Sequence, residues 1–318
     1  MSEDGAPSWR PDASLAMLQA RARLQAAIRS FFAEREVLEV DTPVLSKHAT
    51  VDRHIESFAT ADGRWLQTSP EFAMKRLLAA GAGAIYQIAH VFRREEAGRH
   101  HNPEFSMLEW YRPGWDHRQL MDEVEALLRA LGSDTAGPYV RLSYREAFLA
   151  HAGIDPFAAS DRELCSAAAA AGYQARADEG RDALLDLLMF TRVAPGLGVD
   201  TPAFVYDYPA SQAALARVRE GAPPLAERFE LFWRGIELAN GFHELGDADE
   251  QRRRFEADQA WRRAQGRSVP PYDRYLVEAL AAGFPDCAGV AVGLDRLLML
   301  LHDQPSVAAT MSFSSRRA

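Results

Sequence analysis

Apolar residues return every three or four positions through LAMLQARARLQAAIRSFFAER (15–35), with Leu18, Ile28, Phe31 and Phe32 among them, and this spacing predicts an amphipathic helix. The period then shortens. VLEVDTPVLS (37–46) alternates apolar and polar as a half-buried strand does, and Pro43 stops it. RWLQTSPEFAMKRLLAAG (64–81) predicts a short strand, a Ser-Pro-Glu helix start and an amphipathic helix closed by Gly81. AIYQIAHVFRREE (84–96) and EFSMLEWYR (104–112) predict two strands around a polar loop, and residues 117–131 a further helix. A second strand pair falls in RFELFWRGIELANGFHEL (228–245), followed by the helix of DADEQRRRFEADQAWRRAQG (247–266). GVAVGLDRLLMLL (289–301) predicts a strand running into a helix. Strands joined mainly by hairpins, with helices between them, predict an α+β fold built on an antiparallel sheet.

Residues 133–228 break this rhythm. They are rich in alanine, glycine and proline, carry helical pieces and stretches such as VAPGLGVDTP, and hold no chemical motif. We expect a single domain over 1–318 with a peripheral insertion at about 133–228.

Composition narrows the class. Hydrophobic residues make up 47% and charged residues 25% of 318 positions, the balance of a soluble domain with a sizeable core. The opening MSEDGAPSWRPDAS has no apolar stretch of signal-peptide type, and no run of apolar residues is long enough to span a membrane. Cys165 and Cys287 lie far apart without metal-ligand spacing, as reduced thiols of a cytoplasmic protein would. A net charge of −9 argues against a broad nucleic-acid surface, since phosphate binding requires clustered Lys and Arg.

Three stretches hold candidate chemistry. In VFRREEAGRHHNPEFSMLEWY (91–111), strand alternation places Arg93 and Glu95 on one face, and Phe105, Met107, Glu109 and Tyr111 on one face of the next strand. An arginine fork suits a phosphate, and a neighbouring ring suits stacking on a base. The same residues also fit a solvated hairpin laced with ion pairs. In FELFWRGIEL, a two-residue turn at Arg234-Gly235 sets Trp233 opposite Ile236 and Phe232 opposite Glu237, with Glu230 a diagonal neighbour of Glu237. Two carboxylates so placed can hold Mg²⁺, and two exposed edge glutamates are the other reading. Farther on, Asn240 and Glu244 flank a glycine, Gly241, that is a candidate bulge. Third, Arg296 stands at a helix start against the dipole preference, which suggests a phosphate partner or a pairing with Asp295.

Taken in order, these stretches resemble the three signature motifs of class II aminoacyl-tRNA synthetases: the helix ending at VDTPVL with Pro43, FRREE…HNPEFSMLEWY, and GLDRLLML. SPEFAMKRL, HNPEF, IELANGFHEL and GLDRL are similar to the lysyl-tRNA synthetase catalytic core, and the resemblance covers nearly the whole chain outside about 133–200. No anticodon-binding OB domain precedes the first motif here, and Trp110, Ala239 and His243 are closer to the elongation factor P (R)-β-lysine ligase family. The resemblance implies a class II antiparallel sheet flanked by helices, a homodimer, and activation of lysine or β-lysine with ATP and Mg²⁺. The adenylate would then pass to a lysine of translation elongation factor P, with tRNA disfavoured as acceptor.

By the same resemblance Arg93 stabilises the α-phosphate and Arg296 holds the γ-phosphate, while Phe105 stacks on adenine. Arg94, Glu95, Asn102, Glu237, Leu238 and Gly293 would complete the ATP site. Glu230 and Glu237 would carry Mg²⁺. Ser69, Pro70, Glu71, Glu109, Tyr111, Ala239, Asn240 and Glu244 would line the amino-acid pocket, Ala239 standing where the synthetases have glycine. One departure is Glu36, where the family usually has glycine, at a turn for which a left-handed backbone disfavours glutamate. Two rivals stay open: a minimal synthetase-like enzyme with another acceptor, and a catalytically silent regulatory relative.

Overall fold

The first amphipathic run folds as α1 (Leu15–Ala33), with the Ser14 hydroxyl accepting the Met17 amide at 3.2 Å as its cap. The structure, a computed structural model, describes residues 9–133, 135, 137–173 and 180–318. Beyond α1 the backbone turns at Glu36 with φ +54°, the left-handed region in which a side chain is strained. The strand expected over 37–46 is instead two fragments in different sheets. β1 (Leu38–Glu39) pairs in parallel with β4 (Ile85–Phe92), and β2 (Leu45–Ser46) pairs with β3 (Trp65–Leu66). Pro43 between them cannot donate to a ladder, and the Thr42 hydroxyl donates to the Gln87 side chain at 2.9 Å instead.

After α2 (Glu71–Ala79), β4 and β5 (Glu104–Pro113) form an antiparallel hairpin with Tyr86 opposite Trp110 and Val91 opposite Phe105. β4 stops at Phe92, so Arg93 and Glu95 stand in the connecting loop and share no strand face; the extended pattern had carried them four residues too far. α3 (His117–Ala130) follows, its start fixed by the Asp116–Gln119 capping box.

The 133–228 stretch does more than decorate the periphery. Its β6 (Val140–Ser143) and β7 (Ala203–Pro209) continue the main sheet, with β7 pairing along β9 (Leu225–Trp233) and β8 (Val218–Arg219) pairing with β9 as well. Between them lie α4 (Tyr144–His151), α5 (Asp161–Ala170) and α6 (Arg181–Leu188), which build a satellite core of Tyr144, Phe148, Leu164, Leu184, Leu188 and Val205. Residues 134, 136 and 174–179 of this stretch lie outside the described residues.

The remaining elements are β10 (Ile236–His243), α7 (Ala248–Ala264), α8 (Arg274–Gly283), β11 (Cys287–Gly293) and α9 (Leu294–Leu301). The large sheet runs β1-β4-β5-β11-β10-β9-β7-β6, antiparallel except at the two edge pairs β1–β4 and β6–β7. One face packs against α1, α3 and α9, burying Ile28, Phe32, Leu108, Trp110, Leu127 and Leu297 in the main core. Full burial of each such side chain contributes roughly 1.5–3 kcal/mol. The other face of the same strands mixes small apolar clusters, such as Ala89, Val91 and Met107, with polar side chains, and it carries the site.

Candidate active site

Alternation along β5 divides its side chains. Leu108 and Trp110 enter the main core, while Met107, Glu109 and Tyr111 line a cavity of about 1460 Å³. β10 divides its own differently. Its register with β9 slips between Glu237 and Ala239, so Glu237 and then Asn240, Phe242 and Glu244 all reach the cavity. The bulge is therefore at Leu238 and not at Gly241. A Cβ at Gly241 would instead strike the Phe229 ring and Val290.

At one end of the cavity lies a buried cluster of carboxylates. Ser69 Oγ donates to Glu109 Oε2 and Tyr111 Oη donates to Glu109 Oε1, both at 2.6 Å. Lys75 Nζ stands 2.6 Å from Glu71 Oε1 and 2.6 Å from Glu244 Oε2. Lys75 and Glu244 are each about 1% exposed. Burial works against the Lys75 ammonium, but Glu244 and Glu71 outweigh it and hold the group protonated. Burial, then the charge of Glu71, pushes the Glu109 carboxyl up to about 7. Burial raises Glu244 to about 8, against the pull of Lys75 and with the push of Glu71. Tyr111 is driven well above the usual phenol range by burial and by Glu109. Three carboxyl groups thus surround one cation, a deficit of positive charge that a bound ammonium would fill. Gly289 opposite Tyr111 on β11 makes the space: any Cβ there would collide with the Tyr111 ring and the Glu244 carboxylate.

At the other end stand Arg93, Glu230 and Glu237. Arg93 donates to the Thr68 carbonyl at 3.3 Å and pairs with Glu96 at 3.0 Å, its guanidinium 5.2 Å above the centre of the Phe105 ring. Glu230 is buried and paired with Arg228. Burial, then Glu230, pushes Glu237 up to about 7 against the attraction of Arg296, Arg228 and Arg93. Arg296 does not pair with Asp295, which accepts the Ser106 amide at 2.7 Å and binds Arg21. Instead Arg296 donates to the carbonyls of His100 at 3.1 Å and Glu237 at 2.9 Å and contacts His101 Nε2 at 2.6 Å.

Of the residues singled out from sequence, Arg93, Ser69, Pro70, Glu71, Glu109, Tyr111, Glu230, Glu237, Asn240 and Glu244 line the cavity together. The others stand back from its lining. Arg94 and Glu95 are exposed in the loop, and Phe105 lies half-buried beneath Arg93. Asn102 is tied to the Glu104 carbonyl at 2.6 Å and to the Ser315 amide at 3.0 Å. Leu238 and Ala239 pack into the main core, because the bulge turns them away from the cavity, and Gly293 caps α9. Sequence reasoning missed Lys75, Tyr144, Asp182, Asp186, Tyr208 and Arg228. Lys75 did leave a signal: it is one of only two lysines in the chain, four residues after Glu71 on a helix.

A mixed-edge antiparallel sheet with a carboxylate-rich pocket at one end and an arginine–carboxylate constellation at the other is the ground plan of an amino-acid-activating enzyme. The chain belongs to the tRNA synthetases class II (D, K and N), whose family profile matches residues 8–317. Within that class it is similar to proteins named elongation factor P–(R)-β-lysine ligase. The protein of Yersinia enterocolitica is 51% identical and that of Vibrio cholerae 50%, each over 98% of both chains. That of Vibrio vulnificus is 54% identical over 92% of this chain and 93% of its own.

Proposed function

We propose that this protein activates (R)-β-lysine, or lysine, with ATP and joins it to the ε-amine of a lysine on elongation factor P. The observation that carries the amino-acid half is the buried cluster of Glu71, Glu109 and Glu244 around a single Lys75. A neutral or acidic side chain would leave that charge unmet, whereas a distal ammonium meets it. The full-length likeness to the β-lysine ligases supports the acceptor half.

In the first step a carboxylate oxygen of the amino acid attacks the α-phosphorus of ATP, and pyrophosphate leaves. Arg93, anchored to the Thr68 carbonyl at the cavity wall, is the donor for the charge that builds on the α-phosphate. Loss of one such donor costs on the order of 10²–10³ in rate. In the second step the deprotonated acceptor amine attacks the adenylate carbonyl carbon. The C–N bond forms as the C–O bond to phosphate breaks, AMP leaves, and the amine's surplus proton passes to solvent. Asn240, whose Oδ1 has no hydrogen-bond partner, is placed to accept from the substrate's second ammonium.

Glu230 and Glu237 suit a magnesium ion, because both line the cavity side by side as oxygen donors. Burial and then the charge of Glu230 push the Glu237 carboxyl up, a penalty that a divalent cation would relieve. A bound Mg²⁺ would neutralise phosphate charge there. We further infer a homodimer formed through the first motif, where Leu38 and Val44 are 57% and 41% exposed, and a cytoplasmic setting. The test is incubation with ATP, α- or β-lysine and purified elongation factor P, read by intact mass. The expected result is a mass gain of one lysyl group on elongation factor P. No gain with either amino acid, despite pyrophosphate exchange, would reject the acceptor.

A further inference from the structure

The cavity is larger than the roughly 300–1,000 Å³ typical of a small-ligand site, and part of its lining comes from the 133–228 stretch. There Tyr144 opens α4, Asp182 and Asp186 project from α6, and Tyr208 ends β7 beside Arg228 of β9. The two phenol rings lie 4.8 Å apart, and the Arg228 guanidinium sits 4.6 Å over Tyr208. Asp182 accepts from Ser211 Oγ at 2.7 Å and Asp186 from Gln212 Nε2 at 2.8 Å, which fixes both carboxylates against the loop after β7. This arm is built, and it has vacancies in its hydrogen bonding. The hydroxyl of Tyr144, a side chain almost wholly buried, has no partner, nor has Arg228 Nε, while the Tyr208 hydroxyl lies against Glu230. Buried polar atoms are seldom left so unless something else binds them.

The charge of the arm selects what that is. Asp182 and Asp186 face one guanidinium, Arg228, which Glu230 already engages, and the imidazole of His54. A triphosphate or the phosphates of a tRNA end would be repelled. A primary ammonium has three donors for phenol and carboxylate oxygens and no acceptor. Its four-carbon stem needs apolar walls, and Met189 and Phe242 line the same space. The Asp186 side chain is exposed to solvent, so an entering side chain can reach it.

We propose that this arm is the subsite through which the acceptor lysine enters, its ε-ammonium held by Asp186 and the Tyr144 hydroxyl before transfer. The inference rests on the two-step reading above and deepens it, giving the 133–228 stretch a part in acceptor recognition.

The test separates the half-reactions in Asp186→Asn and Tyr144→Phe. Amino-acid-dependent pyrophosphate exchange, and trapping of the adenylate by uncharged hydroxylamine, should stay within about twofold of the parent, since neither uses the arm. Transfer to elongation factor P should fall about tenfold or more, mainly as a raised KM for the acceptor. Asp186→Glu, which keeps the charge, should recover part of the loss. Tyr144→Phe removes one oxygen and keeps the core contacts, so it decides the matter if the aspartate variant folds poorly. Undiminished transfer in both variants overturns the inference alone. An equal fall in exchange, or a raised Mg²⁺ requirement, also overturns it, because the arm would then serve activation. Exchange without any transfer in the parent overturns the acceptor reading and this inference with it.

Discussion

Lys75 explains why the amino-acid pocket can exist empty. Without it the two buried carboxyl groups of Glu109 and Glu244, with half-buried Glu71 beside them, would need several protons or would not fold closed, and with it they need only part of that charge supplied by a ligand. Lys75→Met should therefore destabilise the protein by roughly 3–5 kcal/mol, read by chemical denaturation, because it strands Glu244 and Glu71. A loss under about 1 kcal/mol would show the pair to be incidental. Glu244→Gln should fold, and should weaken lysine-type substrates by roughly 2–5 kcal/mol in a KM for exchange, since a buried ammonium loses its ionic partner. A pH dependence follows from the carboxyls raised to about 7 and about 8. Both are raised above the ordinary value of 4.5, so their contribution to stability is fully present below that pH, is lost progressively as pH rises from there, and is gone once pH has passed about 7 and about 8. A bound ammonium reverses the preference, favouring the ionised carboxylates. Amino-acid binding should release protons and tighten between about pH 6 and pH 8, which calorimetry in buffers of different ionisation heat measures; heats independent of buffer would contradict it.

The strands carry the site by a small irregularity. Without the slip at Leu238, strict alternation on β10 would place Glu237 opposite to Asn240 and Glu244, and the three could not share one cavity. Most elements were legible in the sequence because their periods are strong: α1, α3, the β4–β5 and β9–β10 hairpins, and β11 running into α9. What was not legible depended on pairing partners. A bulge is decided by the neighbouring strand, so Ala239 read as a pocket residue although it packs in the core. β7 reads as AFVYDYP within alanine- and proline-rich surroundings, and only its fit along β9 makes it part of the main sheet. Arg93 read as a strand residue because nothing local signals the end of β4. Gly289→Ala should keep the fold yet abolish amino-acid-dependent exchange, with a stability loss of roughly 1–3 kcal/mol, as Tyr111 and Glu244 are pushed aside. Glu36→Gly should raise stability by about 1 kcal/mol, since the φ of +54° costs glutamate and not glycine; an unchanged melting curve would show the turn to be unstrained.

Across the protein one sheet separates two tasks: one face builds the main core against α1, α3 and α9, and the other lines a large cavity. That cavity is acidic at its amine end and in its second arm, and the chain as a whole carries −9. Phosphate contacts supply most non-specific affinity for nucleic acid, so this field disfavours a tRNA acceptor and suits a cationic lysine. The reaction needs only that such a lysine be positioned beside the adenylate. The most direct measurement gives the enzyme ATP and labelled lysine or β-lysine with total tRNA and elongation factor P present together. Label on a lysine of elongation factor P, with none on tRNA, is the predicted result; label on tRNA, with the protein left bare, would contradict it.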